Sequence, residues 1–190
     1  MKISVLTLLA AGLSGCETLS YEEPQPGTAP IARVRFATTS SGVAVLTGFD
    51  DPGCNHGQLE WMRLRDGTLV NTTTKMLGMP LANPNQNAAK EVLVTANKPL
   101  NLVFFASDQD GPVITGCGTQ FTYSYAEGKD YEVKYHWQTG SCFTTISEIV
   151  PDGSGWKLVE RARFDDTPTD KNYHCHVQYG QMKLPSPFNL

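Results

Sequence analysis

At 190 residues, with 40% hydrophobic and 18% charged side chains, the chain has apolar material for one domain with a sizeable core. Its formal net charge of −4, without a basic run, excludes the electrostatic footprint of a nucleic-acid binder and the polybasic patch that draws a protein onto anionic lipid. Past residue 16 no apolar run approaches the roughly twenty residues a transmembrane helix needs.

The chain opens with Met1-Lys2, a positive start, followed by an apolar stretch from Ile3 to Leu13. That stretch is too short to span a bilayer core and fits the hydrophobic region of a secretory signal. It ends in Leu13-Ser14-Gly15-Cys16. The tetrapeptide resembles the lipobox of bacterial lipoproteins, in which Leu, a small residue, Gly or Ala, and Cys follow one another. The resemblance covers the leader. It implies that residues 1–15 are a signal peptide cleaved before Cys16, that the Cys16 thiol carries diacylglycerol and that its new amine is acylated. Two acyl chains already suffice for stable anchoring. In enterobacterial lipoproteins an Asp after the lipidated Cys retains the protein in the inner membrane. Here Glu17 follows, so the resemblance favours the outer membrane, with the domain on its periplasmic face. The anchored chain, Cys16 to Leu190, would be 175 residues with a charge near −5.

Residues 16–30 read as the lipidated Cys and a tether. Pro24, Pro26, Gly27 and Pro30, three glutamates and few apolar side chains give the stretch too little surface to bury. Fully polyproline-like, Glu17 to Pro30 would reach roughly 40 Å and hold the body off the membrane.

From Ile31 the period is two. Ala32, Val34 and Phe36 alternate with Arg33 and Arg35, as in a half-buried strand. Val43 to Leu46 is a second apolar run. Residues 58–65 and 68–72 flank Asp66-Gly67, a hairpin signal. Met76 to Lys90 lacks strand character. A loop of that length is often functional or mobile, or it holds a short helix near Asn87-Ala88-Ala89-Lys90. Residues 91–96 and 100–106 flank Asn97-Lys98-Pro99, and Leu100 to Phe105 has the character of a central strand. Phe121–Tyr125 and Tyr131–Trp137 flank Ala126-Glu127-Gly128-Lys129-Asp130 as a hairpin. Residues 143–150 and 156–164 flank Asp152-Gly153-Ser154-Gly155, with Trp156, Leu158, Ala162 and Phe164 on one face. Last, Tyr173, Cys175, Val177 and Tyr179 alternate with His174, His176 and Gln178. Short strands, Gly/Asn/Asp/Pro turns and no amphipathic helix predict an all-β fold over residues 31–184. The expected form is an antiparallel β-sandwich, with a small barrel as the alternative. Residues 185–190 read as a tail.

With Cys16 taken by lipid, Cys54, Cys117, Cys142 and Cys175 remain, an even number in an exported chain and therefore two disulfides with three possible connectivities. The hairpin over 121–137 would bring residues near 117 and 140 together, which favours Cys117–Cys142. Cys54–Cys175 follows by elimination. A loop-entropy argument assigns the bridges about 3.5 and 5 kcal/mol.

Other chemistry is sparse. His174 and His176 share a strand face, and His56 would join them if Cys54 bridges Cys175, which outlines a possible zinc or copper site. No acidic residue is spaced as a fourth ligand. No Cys-x-x-Cys and no Gly-x-Ser-x-Gly occurs, and Ser40, Ser41 and Ser154 sit in plain turns. Asp108-Gln109-Asp110-Gly111 begins like a calcium loop, but Thr119 stands where the loop's closing Glu belongs. Tyr123, Tyr125, Tyr131, Tyr135 and Trp137 crowd one segment. Most should be core, and any ring left exposed would mark a partner or glycan surface. Leu77-Gly78-Met79-Pro80 and the later Gly128-x-x-Tyr131-Glu132 resemble segments of uncharacterised proteobacterial outer-membrane lipoproteins, a resemblance that implies no activity. The expected function is therefore a lipid-anchored, non-catalytic binding or assembly module with another envelope component as partner and no cofactor beyond its lipid. The alternative is a metal- or small-ligand-binding module using the histidines.

Overall fold

The computed structural model describes residues 21–40, 42–49, 59–65, 76–82, 88–110, 113–138 and 141–166. They contain nine strands and no α-helix: β1 (Ile31–Thr38), β2 (Val43–Phe49), β3 (Leu59–Leu64), β4 (Ala89–Thr95), β5 (Pro99–Asp110), β6 (Val113–Ser124), β7 (Asp130–Gln138), β8 (Ser141–Asp152) and β9 (Gly155–Asp165). Two sheets form, one in the order β4-β1-β7-β8-β9 and one in the order β3-β2-β5-β6. Every pairing is antiparallel except β1 with β7. The fold is thus a β-sandwich and not a closed barrel.

Alternation builds the core. Val34 and Phe36 of β1, Val133 and Tyr135 of β7 and Ile146 of β8 face Leu46 of β2, Leu102 and Phe104 of β5 and Phe121 of β6, all buried. Phe104 sits at the centre, against Phe36, Phe121 and Tyr135. Each such side chain contributes about 1.5–3 kcal/mol through burial. Gly48 is a glycine because a Cβ there would come within 2.8 Å of the Trp61 indole and of Leu102. Trp61 is the extra residue of a β-bulge in β3, so it and Met62 both point inward.

Several expectations are corrected by which sheet each strand joins. Residues 121–125 and 131–137 are not a hairpin. β6 belongs to the four-stranded sheet, while β7 pairs with β1 and β8 in the other. The turn between them instead stitches to β1, Gly128 N–H donating to the Ile31 carbonyl at 2.9 Å. Cys117–Cys142 is bonded as expected, but as a staple between the two sheets, from β6 to β8, and not across a hairpin. Beside it the Thr119 and Thr144 hydroxyls share a buried hydrogen bond. Residues 97–99 likewise carry the chain from one sheet to the other, with Asn97 at φ 59°. Of the segment 87–90 read as an alternative short helix, Asn87 lies outside the described residues, Ala88 has 3-10 geometry, and Ala89 already begins β4. Asp108 to Asp110 continue β5 instead of forming a loop. The partners expected at 68–72 and 173–179 lie outside the described residues.

A second bulge matters more. In β9, Glu160 pairs with Ser147 and Ala162 with Ile146, which leaves Arg161 without a register partner. The inward parity switches there. Ala162 and Phe164 pack against the core, and Phe164 stacks on Phe121. Trp156 and Leu158, expected on that same face, point to solvent at 43% and 42% exposure.

Candidate functional site

The residues singled out for chemistry divide between described and undescribed parts of the chain. Cys16, Cys54, Cys175, His56, His174 and His176 lie outside the described residues, and the disulfide and metal readings built on them rest on the sequence. Cys117, Cys142 and the Asp166 carboxylate form a group within 4.8 Å of one another, but the two sulfurs are spent on the disulfide and offer no thiolate. Ser40 is buried and its hydroxyl accepts the Gly42 N–H, which is a turn contact and not a nucleophile's. Of the crowded aromatics, Tyr125, Tyr131 and Tyr135 are buried, while Tyr123 and Trp137 pack partly buried against the core.

Sequence reasoning missed the charged centre of the molecule. Arg35 sits on the outer face of β1, where alternation predicts solvent, yet only 1% of it is exposed. Its guanidinium donates to the Glu91 carboxylate at 2.8 Å and to Glu132 at 3.3 Å, its register neighbours on β4 and β7. Glu91 is fully buried. The segment 76–82 provides the cover: Leu77 N–H donates to Glu91, Arg35 donates to the Leu81 carbonyl, and Met79 is buried beside them. The described part of the long loop is thus a strap pinned across the sheet. The segments Leu77–Pro80 and Gly128–Glu132 converge on this arginine, the first through the strap and the second through Glu132. A buried ion pair with every arm occupied holds shape, and it has no free group for acid–base work.

The second cluster lies at the β4 edge, built by residues expected to be tether. Tyr21 stacks on Trp61 with ring centroids 3.8 Å apart. Its hydroxyl donates to the Leu93 carbonyl at 3.1 Å, and the Leu93 N–H donates to the Glu23 carboxylate at 3.0 Å. The outward N–H and C=O of Leu93 on that edge strand are therefore capped by side chains. Residues 21–30 dock on the domain, ending in a small turn where Thr28 N–H donates to the Gln25 carbonyl. Burial, reinforced by the nearby Glu23, raises the Tyr21 phenol well above its ordinary range. Behind it Tyr123, Tyr125 and Tyr131 meet edge to face. Complete burial, then the neighbouring phenols, pushes Tyr125 far upward, and its hydroxyl finds no hydrogen-bond partner among the described residues.

Among the described residues nothing caps the opposite edge of the same sheet. Most of β9 is exposed along its length. On its outer face Arg163 lies over the Phe143 ring at 3.8 Å, and Phe143 stacks on His136 at 4.5 Å. Burial, then the positive charges of Lys134 and Arg163, lowers the His136 pKa. Trp156 and Leu158 stand out from the same strand near the β8–β9 turn.

The chain was compared with known proteins. It matches no family model, no curated protein and no solved structure.

Proposed function

We propose that the chain is a cell-envelope lipoprotein, anchored through Cys16 in the outer membrane, whose β-sandwich is a non-catalytic binding or assembly module on the periplasmic side. The partner is another envelope component, and β9 is the strand it meets. One observation carries the binding part. The five-stranded sheet caps its β4 edge at Leu93 with Tyr21 and Glu23, while among the described residues no comparable cap lies on the β9 edge, whose side chains are mostly exposed. An uncovered strand edge is a template for pairing with another chain. The charges along β9 are of both signs, Lys157, Glu160, Arg161 and Arg163, which guards against indiscriminate pairing and leaves a specific partner admissible. The anchor is carried by the lipobox resemblance at Leu13–Cys16, and the mildly acidic charge speaks against nucleic acid.

In-cell crosslinking tests the module. A photo-reactive residue at exposed Glu160 of β9 should capture one identifiable envelope component, and the same residue at exposed Glu22, beside the capped edge, should not. Equal capture at both positions, or none at Glu160, removes β9 as the docking strand. Cys16→Ala tests the anchor separately: the variant should lose labelled fatty acid and leave the membrane fraction. If it keeps both, the anchor is elsewhere.

A further inference from the structure

Trp156 and Leu158 stand at the same end of the sandwich as the point where the segment from Cys16 docks. One row of strand pairing crosses the five-stranded sheet through Val92, Val34, Tyr131, Glu148 and Val159. One residue beyond that row, toward the same end, lie Leu93 in β4 and Leu158 in β9. Leu93 is the residue that Tyr21 and Glu23 grip. Trp156 lies a further step out, next to the β8–β9 turn at Asp152 and Gly155.

Docking of Tyr21 shortens the leash. Only four residues lie between Cys16 and Tyr21, and the five steps they make, at about 3.5 Å each, span roughly 18 Å when fully extended. The roughly 40 Å standoff available to a free tether is no longer available. An acylated Cys16 would hold this end of the domain close to the headgroups. The groups exposed there suit that surface. Trp favours the membrane–water boundary, where its apolar ring and polar N–H are both accommodated. The neighbouring charges are paired among themselves, Lys157 with Asp152 and both Lys129 and Arg161 with Glu148.

We propose that Trp156 and Leu158 form a membrane-contacting tip, set into the boundary of the bilayer that carries the anchor. The contact is apolar, needs no anionic lipid, and leaves β9 from Val159 to Asp165 facing away from the membrane for a protein partner. It rests on the lipid-anchor reading.

The test uses full-length protein purified from membranes and reconstituted into phosphatidylcholine vesicles with plain or brominated acyl chains, which quench nearby tryptophan. Wild type should lose in brominated vesicles the share of emission that Trp156→Phe removes, and that variant should be unaffected by bromine. Trp61 and Trp137, the other tryptophans, pack in or against the core and serve as internal references. Leu158→Asp should abolish the quenching of Trp156, and raising salt should leave it unchanged. The acyl mass of the same sample reads the anchor independently. Acylated protein whose emission ignores bromine overturns the tip alone, whereas protein without acyl mass overturns tip and anchor together. A photo-reactive group at Leu158 that labels a protein and no lipid in the intact envelope overturns the tip in favour of a protein contact.

Discussion

The two edges of one sheet are treated in opposite ways. β4 carries a buried ion pair, a strap across its outer face and the side chains of Tyr21 and Glu23 against its backbone. β9 carries exposed side chains, a bulge and, among the described residues, no cap. Both are antiparallel edge strands of the same sheet, so strand character alone does not separate them. Sequence-distant segments do: 76–82 and 21–23 reach β4, and among the described residues nothing comparable reaches the β9 edge. Stability should therefore concentrate at β4 and tolerance to change at β9.

The largest break in that contrast is at Glu91. Glu91→Gln leaves the Arg35 guanidinium buried with only Glu132 as a charged partner. Removing one member of a buried pair costs about 3–5 kcal/mol, read as a drop in the urea midpoint. Replacing both, Arg35→Met with Glu91→Leu, should recover most of the loss, since a well-packed apolar pair of similar volume is tolerated. A loss under about 1 kcal/mol for the single variant would mean that the strap is not held through this carboxylate.

Next in size is Tyr21→Ala, which uncaps β4. Losing a mostly buried ring and its hydrogen bond should cost about 2 kcal/mol, and the Leu93 amide should exchange hydrogen faster in step with it. The matched change at the other edge, Leu158→Ser, should stay within about 0.5 kcal/mol, as exposed substitutions do. If Leu158→Ser costs as much as Tyr21→Ala, the edges are not different in kind.

The fold was legible wherever period two ran unbroken. β1 and β7 stand where their alternation places them and β5 where its apolar run does, and the β8–β9 hairpin forms at its Gly-rich turn although a bulge breaks the alternation in β9. What the sequence concealed is non-local. The disulfide partners were readable, but the hairpin argument behind them fails because β6 and β7 join different sheets. Arg35 looked solvated because alternation specifies one buried face and is silent about what crosses the other. Trp156 and Leu158 looked buried because a single bulged residue, Arg161, reverses parity along β9. Tyr21 lies in a proline-rich stretch with no period at all, and a stacked Trp61 and one hydrogen bond suffice to dock it.

The β4 end should also show itself in alkali. Tyr125 and Tyr21 keep their protons more firmly folded than unfolded. Their contribution is complete below the ordinary phenol value of about 10 and is lost as pH rises beyond it. Tyr125→Phe should flatten that alkaline slope. At neutral pH it should be neutral or slightly stabilising, because the hydroxyl it removes is buried without a partner among the described residues. A clear loss of stability at pH 7 would mean that the hydroxyl is bonded.

The smallest effect belongs to the β9 side and has the opposite pH sign. His136 is about half buried, between Phe143 and Thr145 of β8, with Lys134 on its own strand and Arg163 reaching over Phe143 from β9. Burial and the two cations make it harder to protonate folded than unfolded. The unfolded chain therefore binds the extra proton first, and stability falls as pH drops below about 6.5, levelling off below the folded value. Solvent screens a half-exposed ring, so the slope is shallow. His136→Phe keeps a ring to stack on Phe143 and removes the titration, so it should flatten this segment of the stability curve while leaving the alkaline limb intact. Arg163→Gln should raise the His136 pKa, followed through its imidazole proton resonances, without touching Tyr125. A shift at both sites from one substitution would mean that the two edges are electrostatically coupled across the sheet.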